Sequence, residues 1–236
     1  MAPLPRMKTL SVVIPAYNEE RFIRTLLDRI KAVDLAPLGY QADIVVVDDK
    51  SKDRTADIVD GVPGVRLIRM ERNGGKGRAV RAGIAAATGD LLIIQDADLE
   101  YDPQDYIPMM RALLDARAEI IYGSRYLGRG RHANQSLTAY LGGRSLSAVA
   151  WLFTGTYFTD TVTAFKLFRR EDIAALPLET SGFELDHEIT ARMVARGKTI
   201  AEVPIRYYPR SREEGKKIGP RDWFIAVRTL WRYRRG

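Results

Sequence analysis

Asp96, Asp98 and Glu100 occupy alternate positions in Gln95-Asp96-Ala97-Asp98-Leu99-Glu100-Tyr101, directly after the apolar run Leu91 to Ile94. An extended or turning backbone there can aim Asp96 and Asp98 at one ligand, with Glu100 at the next alternate position. Carboxylate oxygens of this kind suit Mg²⁺ or Mn²⁺, and such a cation would bridge the two phosphates of a nucleotide diphosphate. A lone D-x-D is common in acidic loops, so its neighbours decide its meaning. Two further polar segments close apolar runs: Pro15-Ala16-Tyr17-Asn18-Glu19 after Leu10 to Ile14, and Asp48-Asp49-Lys50-Ser51 after Ile44 to Val47. Asp48 and Ser51 can be read as caps of a helix beginning near Lys52. Two successive acids suggest more: a carboxylate at Asp49 facing a crevice could accept hydrogen bonds from a nucleotide base, with Tyr17 offering a flat face beside it.

Basic and glycine-rich segments supply the opposite charge. Asn73-Gly74-Gly75-Lys76-Gly77 could cradle phosphate through backbone N–H groups with Lys76 in support. It lacks the G-x-x-x-x-G-K-[ST] pattern, and reads equally as the entry to a helix from Arg78. Arg210, Arg212, Lys216 and Lys217 surround Gly215, an arrangement that clamps phosphates or forms a solvated turn. His187 lies in Glu184-Leu185-Asp186-His187-Glu188, where Asp186 fits a helix N-cap and Glu188 a first-turn acid. The alternative for this cluster is a general base, needed if a sugar is transferred to a hydroxyl. A phosphate-monoester acceptor removes that need, because its second ionisation lies near pH ~6 and it arrives as an anion. Arginine and lysine must then hold it in place. A chain with 37 Lys and Arg and two His fits that chemistry.

The elements that must position these residues follow from hydropathy. Leu10 to Ile14, Ile44 to Val47, Val65 to Ile68, Leu91 to Ile94 and Glu119 to Tyr122 are mostly continuous apolar runs, as in strands covered on both faces. Arg21 to Ala32, Lys52 to Val59 and Arg78 to Ala87 between them have helical spacing, and Thr88-Gly89-Asp90 marks a helix end. The pattern predicts an open α/β sandwich on a mostly parallel sheet, with ligands at the carboxyl ends of the strands. There Pro15 to Glu19, Asp48-Asp49 and Asp96 to Glu100 would meet. Further on, Ser136 to Phe158 is largely apolar, a polar loop follows, Phe183 to Arg196 has helical spacing, Ile200 to Tyr208 reads as a strand and Ile218 to Arg235 as a terminal helix.

The 236 residues fit one domain, with no linker to argue otherwise. We expect about 8–125 to bind the donor, about 126–219 to face the acceptor and 220–236 to form an amphipathic helix. The absence of cysteine excludes disulfides, thiolate metal sites and thiol nucleophiles, and suits a reducing, cytoplasmic compartment. Residues 1–6 do not read as a signal peptide, and no run of about 18 apolar residues could span a bilayer. Trp223, Val227, Leu230 and Trp231 share one face of the last segment, with Arg221, Arg228, Arg232 and Arg235 mostly elsewhere. That face can lie in a membrane interface or dock on the core, and Leu146 to Phe158 offers a second apolar surface. The net charge of +7 favours a polyanionic partner. Nothing matches a DNA- or RNA-reading motif, so nucleic acid is not expected.

Taken in order, Val13-Ile14-Pro15-Ala16-Tyr17-Asn18-Glu19-Glu20, Val46-Val47-Asp48-Asp49-Lys50-Ser51, Asn73-Gly74-Gly75-Lys76-Gly77, Gln95 to Tyr101 and Gly123-Ser124-Arg125-Tyr126 resemble family 2 glycosyltransferases of the GT-A fold. More narrowly they resemble the dolichyl- or polyprenyl-phosphate mannose or glucose synthase group, from about residue 8 to residue 222. The resemblance implies a Rossmann-like open mixed sheet with helices on both faces. It implies donor binding by Pro15, Tyr17, Glu19, Asp48, Asp49, Lys76, Asp96 and Ala97, with Mg²⁺ or Mn²⁺ on Asp96, Asp98 and Glu100. Asp98 belongs to the implied catalytic set. So do Arg125 and Arg144 at the acceptor phosphate, and Arg210 and Lys216 on a loop closing over the diphosphate. The implied reaction is inverting transfer of a hexose, mannose before glucose or N-acetylglucosamine, from a GDP- or UDP-sugar to dolichyl or undecaprenyl phosphate, with peripheral membrane contact. The rival is transfer to a glycan or small-molecule hydroxyl with Asp186 or Glu188 as base. Two departures bear on the choice of sugar: Lys50 stands where glycine is usual, and Glu213-Glu214-Gly215-Lys216-Lys217 replaces the mannose-synthase form of the late loop.

Overall fold

The computed structural model describes residues 7–115, 117–128, 131–132, 135–209 and 220–236. Strands β1 (Lys8–Ala16), β2 (Tyr40–Asp48), β3 (Val65–Arg69) and β4 (Leu91–Ile94) form the parallel half of one sheet. They alternate with helices α1 (Ile23–Lys31), α2 (Thr55–Asp60) and α3 (Lys76–Ala86). Helix α4 (Tyr106–Leu114) leads to β5 (Ile120–Ser124), and α5 (Leu137–Thr154) to β6 (Lys166–Arg169). Then come α6 (Arg170–Ala174), α7 (Leu185–Ala195), β7 (Ile200–Pro204) and α8 (Pro220–Tyr233).

The seven strands lie in the order β3-β2-β1-β4-β6-β5-β7. Only β6 runs against the rest, pairing antiparallel with β4 on one side and β5 on the other. The sheet is therefore mixed, and the expectation of a mostly parallel sheet holds with this one exception.

Strand alternation divides the core. Leu10, Val12 and Ile14 pack with Leu26, Leu27 and Ile30 of α1 and Met109 and Leu113 of α4, while Val13, Leu92 and Ile94 pack with Val80 and Ile84 of α3 and Ile189 and Met193 of α7. Both faces are thus covered, which is why β1 and β4 read as uninterrupted apolar runs. Helix α3 lies close against β1: a Cβ on Gly83 would stand 2.3 Å from Val13 Cγ1.

Helix α8 buries Ala226, Thr229, Leu230 and Tyr233, a helical stripe that docks beside α5 and α7. The face read from the sequence is therefore split: Leu230 is buried, whereas Trp231 is exposed along with Phe224 and Ile225. Likewise Leu146 and Phe158 are buried, and the exposed apolar residues of that region are Leu137, Leu141, Trp151, Leu152 and Tyr157.

Candidate active site

At the carboxyl ends of β1 and β2 the two turns are laced together. Asn18 N–H donates to Ser51 Oγ at 3.0 Å, Lys52 N–H to Asn18 Oδ1 at 2.8 Å and Glu19 N–H to Thr55 Oγ1 at 2.8 Å. Ser51 is thus engaged with the β1 turn instead of capping α2, which starts at Thr55 with Asp53 accepting from the Thr55 amide. Asp48, at the end of β2, accepts from Ser51 N–H at 3.3 Å. Pro15 is buried in β1, and Tyr17 and Glu19 are half-buried on the turn after it. Asn18 and Lys50 adopt positive φ, 56° and 63°. A left-handed backbone at Lys50 accounts for the glycine usual there in the resembled family.

Asp49 is buried and serves the glycine-rich loop: Gly74 N–H reaches Oδ1 at 2.8 Å and Gly75 N–H reaches Oδ2 at 2.7 Å. Ser181 O accepts from Gly77 N–H at 2.7 Å and from Arg78 N–H at 3.2 Å. Those four amides are therefore committed within the protein, so the idea that they cradle a phosphate is corrected. Gly75 is needed where it stands, since its φ is 88° and a Cβ would lie 2.5 Å from Ser181 O. The loop's role is to begin α3 at Lys76 and deliver that side chain to the strand ends.

Lys76 Nζ lies 2.8 Å from Asp96 Oδ1 and 3.4 Å from Asp186 Oδ2. Lys166 Nζ lies 3.2 Å from Asp186 Oδ1, donates to Thr163 O and sits 4.8 Å above the Tyr122 ring. A chain Asp96–Lys76–Asp186–Lys166 thus links the end of β4 to β6 through the first turn of α7. Burial opposes charge on Lys76, but Asp186 and Asp96 outweigh it and hold the ammonium above the ordinary lysine value. Burial, with Asp98 adding to it, raises Asp96 against the pull of Lys76. Burial also acts to raise Asp186, yet its two lysines bring it below the usual carboxylate value.

Ala97 is buried in the core, Asp98 Oδ1 accepts from Glu100 N–H at 3.2 Å, and Glu100 Oε2 accepts from Tyr207 Oη at 3.3 Å. Among the described residues no three His, Asp or Glu side chains are gathered to hold a metal, so Asp96, Asp98 and Glu100 do not form a three-carboxylate cluster. Their chemistry still fits Mg²⁺ or Mn²⁺. Asp96 is a partly buried hard-oxygen donor whose negative charge is opposed by burial and by Asp98, and Mg²⁺ commonly takes one or two carboxylates with the remaining oxygens from phosphates.

After β5, Arg125 is buried and gripped by Asp160, with Nε at 2.6 Å from Oδ2 and Nη2 at 2.7 Å from Oδ1. The guanidinium also sits 5.2 Å from the Tyr207 ring centroid. Arg144 Nη1 donates to Thr159 O at 2.8 Å and Nη2 to Tyr157 Oη. Among the described residues Arg144 has no ion-pair partner. Arg210 and Lys216 lie outside the described residues, as does the rest of the late basic segment.

Residues 11–176 match the model of glycosyl transferase family 2. The chain belongs to glycosyl transferase family 2. It is 31% identical over 228 residues to the dolichol-phosphate mannosyltransferase of Pyrococcus furiosus, covering 94% of this chain and 63% of that protein. It thus spans less than two thirds of that relative's length. It is 28% identical over 223 residues to the undecaprenyl-phosphate mannosyltransferase of Micrococcus luteus, covering 90% and 88% of the two chains. Among solved structures it resembles the glucosyl-3-phosphoglycerate synthase of Mycobacterium tuberculosis, crystallised with Mn²⁺, UDP and glucosyl-3-phosphoglycerate. The TM-score is 0.71 at 22% identity, over 96% of this chain and 80% of that one. The architecture is accordingly the GT-A fold of this glycosyl transferase family.

Within this family member Glu188 is a first-turn acid of α7, as the sequence suggested, whereas Asp186 is not the N-cap. Glu188 is fully buried and accepts from Glu179 N–H, Thr180 N–H, Thr180 Oγ1 and Arg192 Nε, so it supports the 179–181 loop. Asp186 lies within the helix, whose cap position is Glu184, and answers two lysines instead of capping it. Sequence reasoning missed Lys166, Asp160 and Glu202. Lys166 had a readable signal, because a lysine inside Phe165-Lys166-Leu167-Phe168 must be buried and paired if that segment is a strand. Asp160 and Glu202 had none.

Proposed function

We propose that this chain transfers a hexose, mannose in preference to glucose or N-acetylglucosamine, from a GDP- or UDP-sugar to a dolichyl or undecaprenyl phosphate with inversion at the anomeric carbon. The observation that carries the reading is Arg144: a guanidinium bonded, among the described residues, only to neutral oxygens, on the same helical stripe as exposed Leu137, Leu141 and Trp151. A cation set in an apolar stripe suits an amphiphile with a phosphate head and a hydrocarbon tail. The names of the Pyrococcus and Micrococcus relatives point the same way.

In this reading one oxygen of the acceptor phosphate forms the bond to the anomeric carbon as the bond to the nucleotide diphosphate breaks. Pro15, Tyr17, Glu19, Asp48 and Asp49 line the nucleotide end, and Ala97 keeps the β4 turn packed. Asp96 and Asp98, with Glu100 behind them, would hold Mg²⁺ or Mn²⁺. When bound, such a cation neutralises the leaving diphosphate. Lys76 places a second positive charge beside Asp96, and Arg210 and Lys216 belong to the diphosphate side. Arg125 and Arg144 hold the acceptor anion without protonating it, which makes a general base unnecessary. The saturated Glu188 and the lysine-bound Asp186 support this over a hydroxyl acceptor, since neither is poised to take a proton.

Contact with a membrane surface would be peripheral, through exposed Trp151, Leu152, Phe224 and Trp231 with the nearby arginines of α8. Among the described residues no helix is long and apolar enough to cross a membrane. The test is a panel of nucleotide sugars incubated with a short polyprenyl phosphate, following lipid-linked sugar with and without EDTA. A donor-specific lipid product that disappears in EDTA is expected. No lipid product with any donor would overturn the acceptor assignment, and undiminished turnover in EDTA the metal assignment.

A further inference from the structure

Arg125 at the end of β5 and Arg144 in α5 are tied to a single turn, Thr159–Asp160. Asp160 takes the Arg125 guanidinium through both oxygens and also accepts Arg125 N–H at 3.0 Å. Thr159 O accepts from Arg144 Nη1 at 2.8 Å and from Ser147 Oγ at 3.4 Å, and Thr159 Oγ1 lies 2.6 Å from Ser124 Oγ. One carboxylate secures this turn from behind. Glu202, in β7, accepts Thr159 N–H on Oε2 at 2.7 Å, and on Oε1 it accepts Asp160 N–H and Thr159 Oγ1, both at 2.9 Å.

Glu202 forms no ion pair among the described residues, and it stands near the like charge of Asp160. Burial raises its carboxyl above the usual range even though three donors favour the ionised form. Placing an anion here without a counter-ion is costly, so its value must lie in what it aligns. The three donors all point at it, and only a carboxylate offers acceptors on both of its terminal atoms. A glutamine would turn an NH₂ toward one of the donating N–H groups.

We propose that Glu202 is a positioning residue for the acceptor: by fixing the Thr159–Asp160 turn it fixes both Arg125 and Arg144, which that turn holds, for the acceptor phosphate. This rests on the assignment of the two arginines to the acceptor phosphate. A displacement on the order of 1 Å at such a clamp is enough to lose much of its effect.

The experiment measures steady-state kinetics of wild type, Glu202→Gln and Thr159→Val with a nucleotide sugar and a short polyprenyl phosphate, with thermal unfolding as a check on folding. For Glu202→Gln the KM for the polyprenyl phosphate is expected to rise about tenfold, the loss of one charge-assisted hydrogen bond, with the donor KM within about twofold. Thr159→Val should shift the same constant by a smaller factor. An unchanged acceptor KM, or equal rises in both constants, would overturn the proposal by reducing Glu202 to a structural role. If Glu202→Gln does not fold, Thr159→Val decides alone by the same criterion. If wild type forms no lipid-linked sugar, the functional reading fails separately, and calorimetric binding of farnesyl phosphate to wild type and variant takes over. Weaker binding by the variant supports the positioning role; equal binding, or none by wild type, overturns it.

Discussion

On the proposed donor side, Lys76 stands between Asp96 and Asp186 at 2.8 and 3.4 Å, and Asp49 is satisfied by two glycine amides. On the proposed acceptor side the rigid fork of Arg125 is matched oxygen for oxygen by Asp160, and Arg144 rests on neutral oxygens. Under the proposed function, the difference follows what each side would receive. A donor site taking up a diphosphate and a cation keeps its carboxylates on a flexible ammonium, which can shift as new charge arrives. An acceptor site that takes an anion keeps guanidinium groups whose planes are already set, so little ordering remains on binding.

The sharpest way to break this contrast is at Asp160, whose side chain is fully buried. Asp160→Asn keeps the shape but leaves Arg125, which stays charged, buried without the anion that now outweighs the burial acting against its charge. Removing one partner of such a buried pair is expected to lower unfolding free energy by about 3–5 kcal/mol in urea titration. A loss below about 1 kcal/mol would mean that the acceptor side is not preorganised in this way.

His187 lies where the two regions meet. Its Nδ1 is buried without a hydrogen-bond partner among the described residues. Burial lowers it from 6.5 to about 4, against the fields of Asp186 and Asp160 that favour the cation and with the help of Lys166. The unfolded chain therefore gains a proton below pH 6.5 that the folded chain refuses. The stability from the neutral ring is complete above pH 6.5 and declines as pH falls toward 4. Between pH 6.5 and about 5, before most carboxylates titrate, this amounts to about 2 kcal/mol. Comparing wild type with His187→Gln in urea at the two pH values isolates it. An identical slope in the variant would show that Asp186 and Asp160 together neutralise the burial cost.

Lys76→Met tests the donor side. Its removal leaves Asp186 with Lys166 still 3.2 Å away and Asp96 partly open to solvent, so the cost is shared. A loss of about 1–2 kcal/mol is expected, smaller than at Asp160, together with weaker binding of the nucleotide diphosphate in calorimetry. A stability loss exceeding that of Asp160→Asn would reverse the contrast.

The two regions also differ in how much of them could be read from sequence. Leu91 to Ile94 was legible residue for residue as β4, and β1 and β2 were recognisable because strands buried on both faces are apolar throughout. Helices α2 and α3 were displaced by two or three residues at their starts, where Asp53 and Gly75 set the entry and Ser51 does not. Helix α4 was not seen, since Pro108 reads as a breaker; it falls in the first turn, where its missing N–H has no intrahelical partner to lose. Strand β6 is only four residues long and contains Lys166, so neither length nor hydropathy announced it. Motif spacing put the acids at the strand ends, whereas only the family resemblance singled out Arg125, just after β5, and Arg144, in the middle of α5. It could not show Lys76 meeting Asp186 across 110 positions, nor Glu202 meeting Thr159 across 43.

The smallest effect probes the rim of the donor side. Among the described residues the two non-glycine residues with positive φ, Asn18 and Lys50, both lie there, and none lies on the acceptor side. Asn18 is held by Ser51 and Lys52, and asparagine tolerates this backbone. Lys50 is exposed, and a left-handed lysine costs about 1–2 kcal/mol relative to a glycine in the same conformation. Part of that is offset because glycine gains more entropy on unfolding. Lys50→Gly should therefore stabilise the fold by about 0.5 kcal/mol in urea titration. A loss of stability would show that the Lys50 side chain contributes more than its backbone costs. A gain accompanied by weaker nucleotide-sugar binding would show that the strained lysine serves the donor.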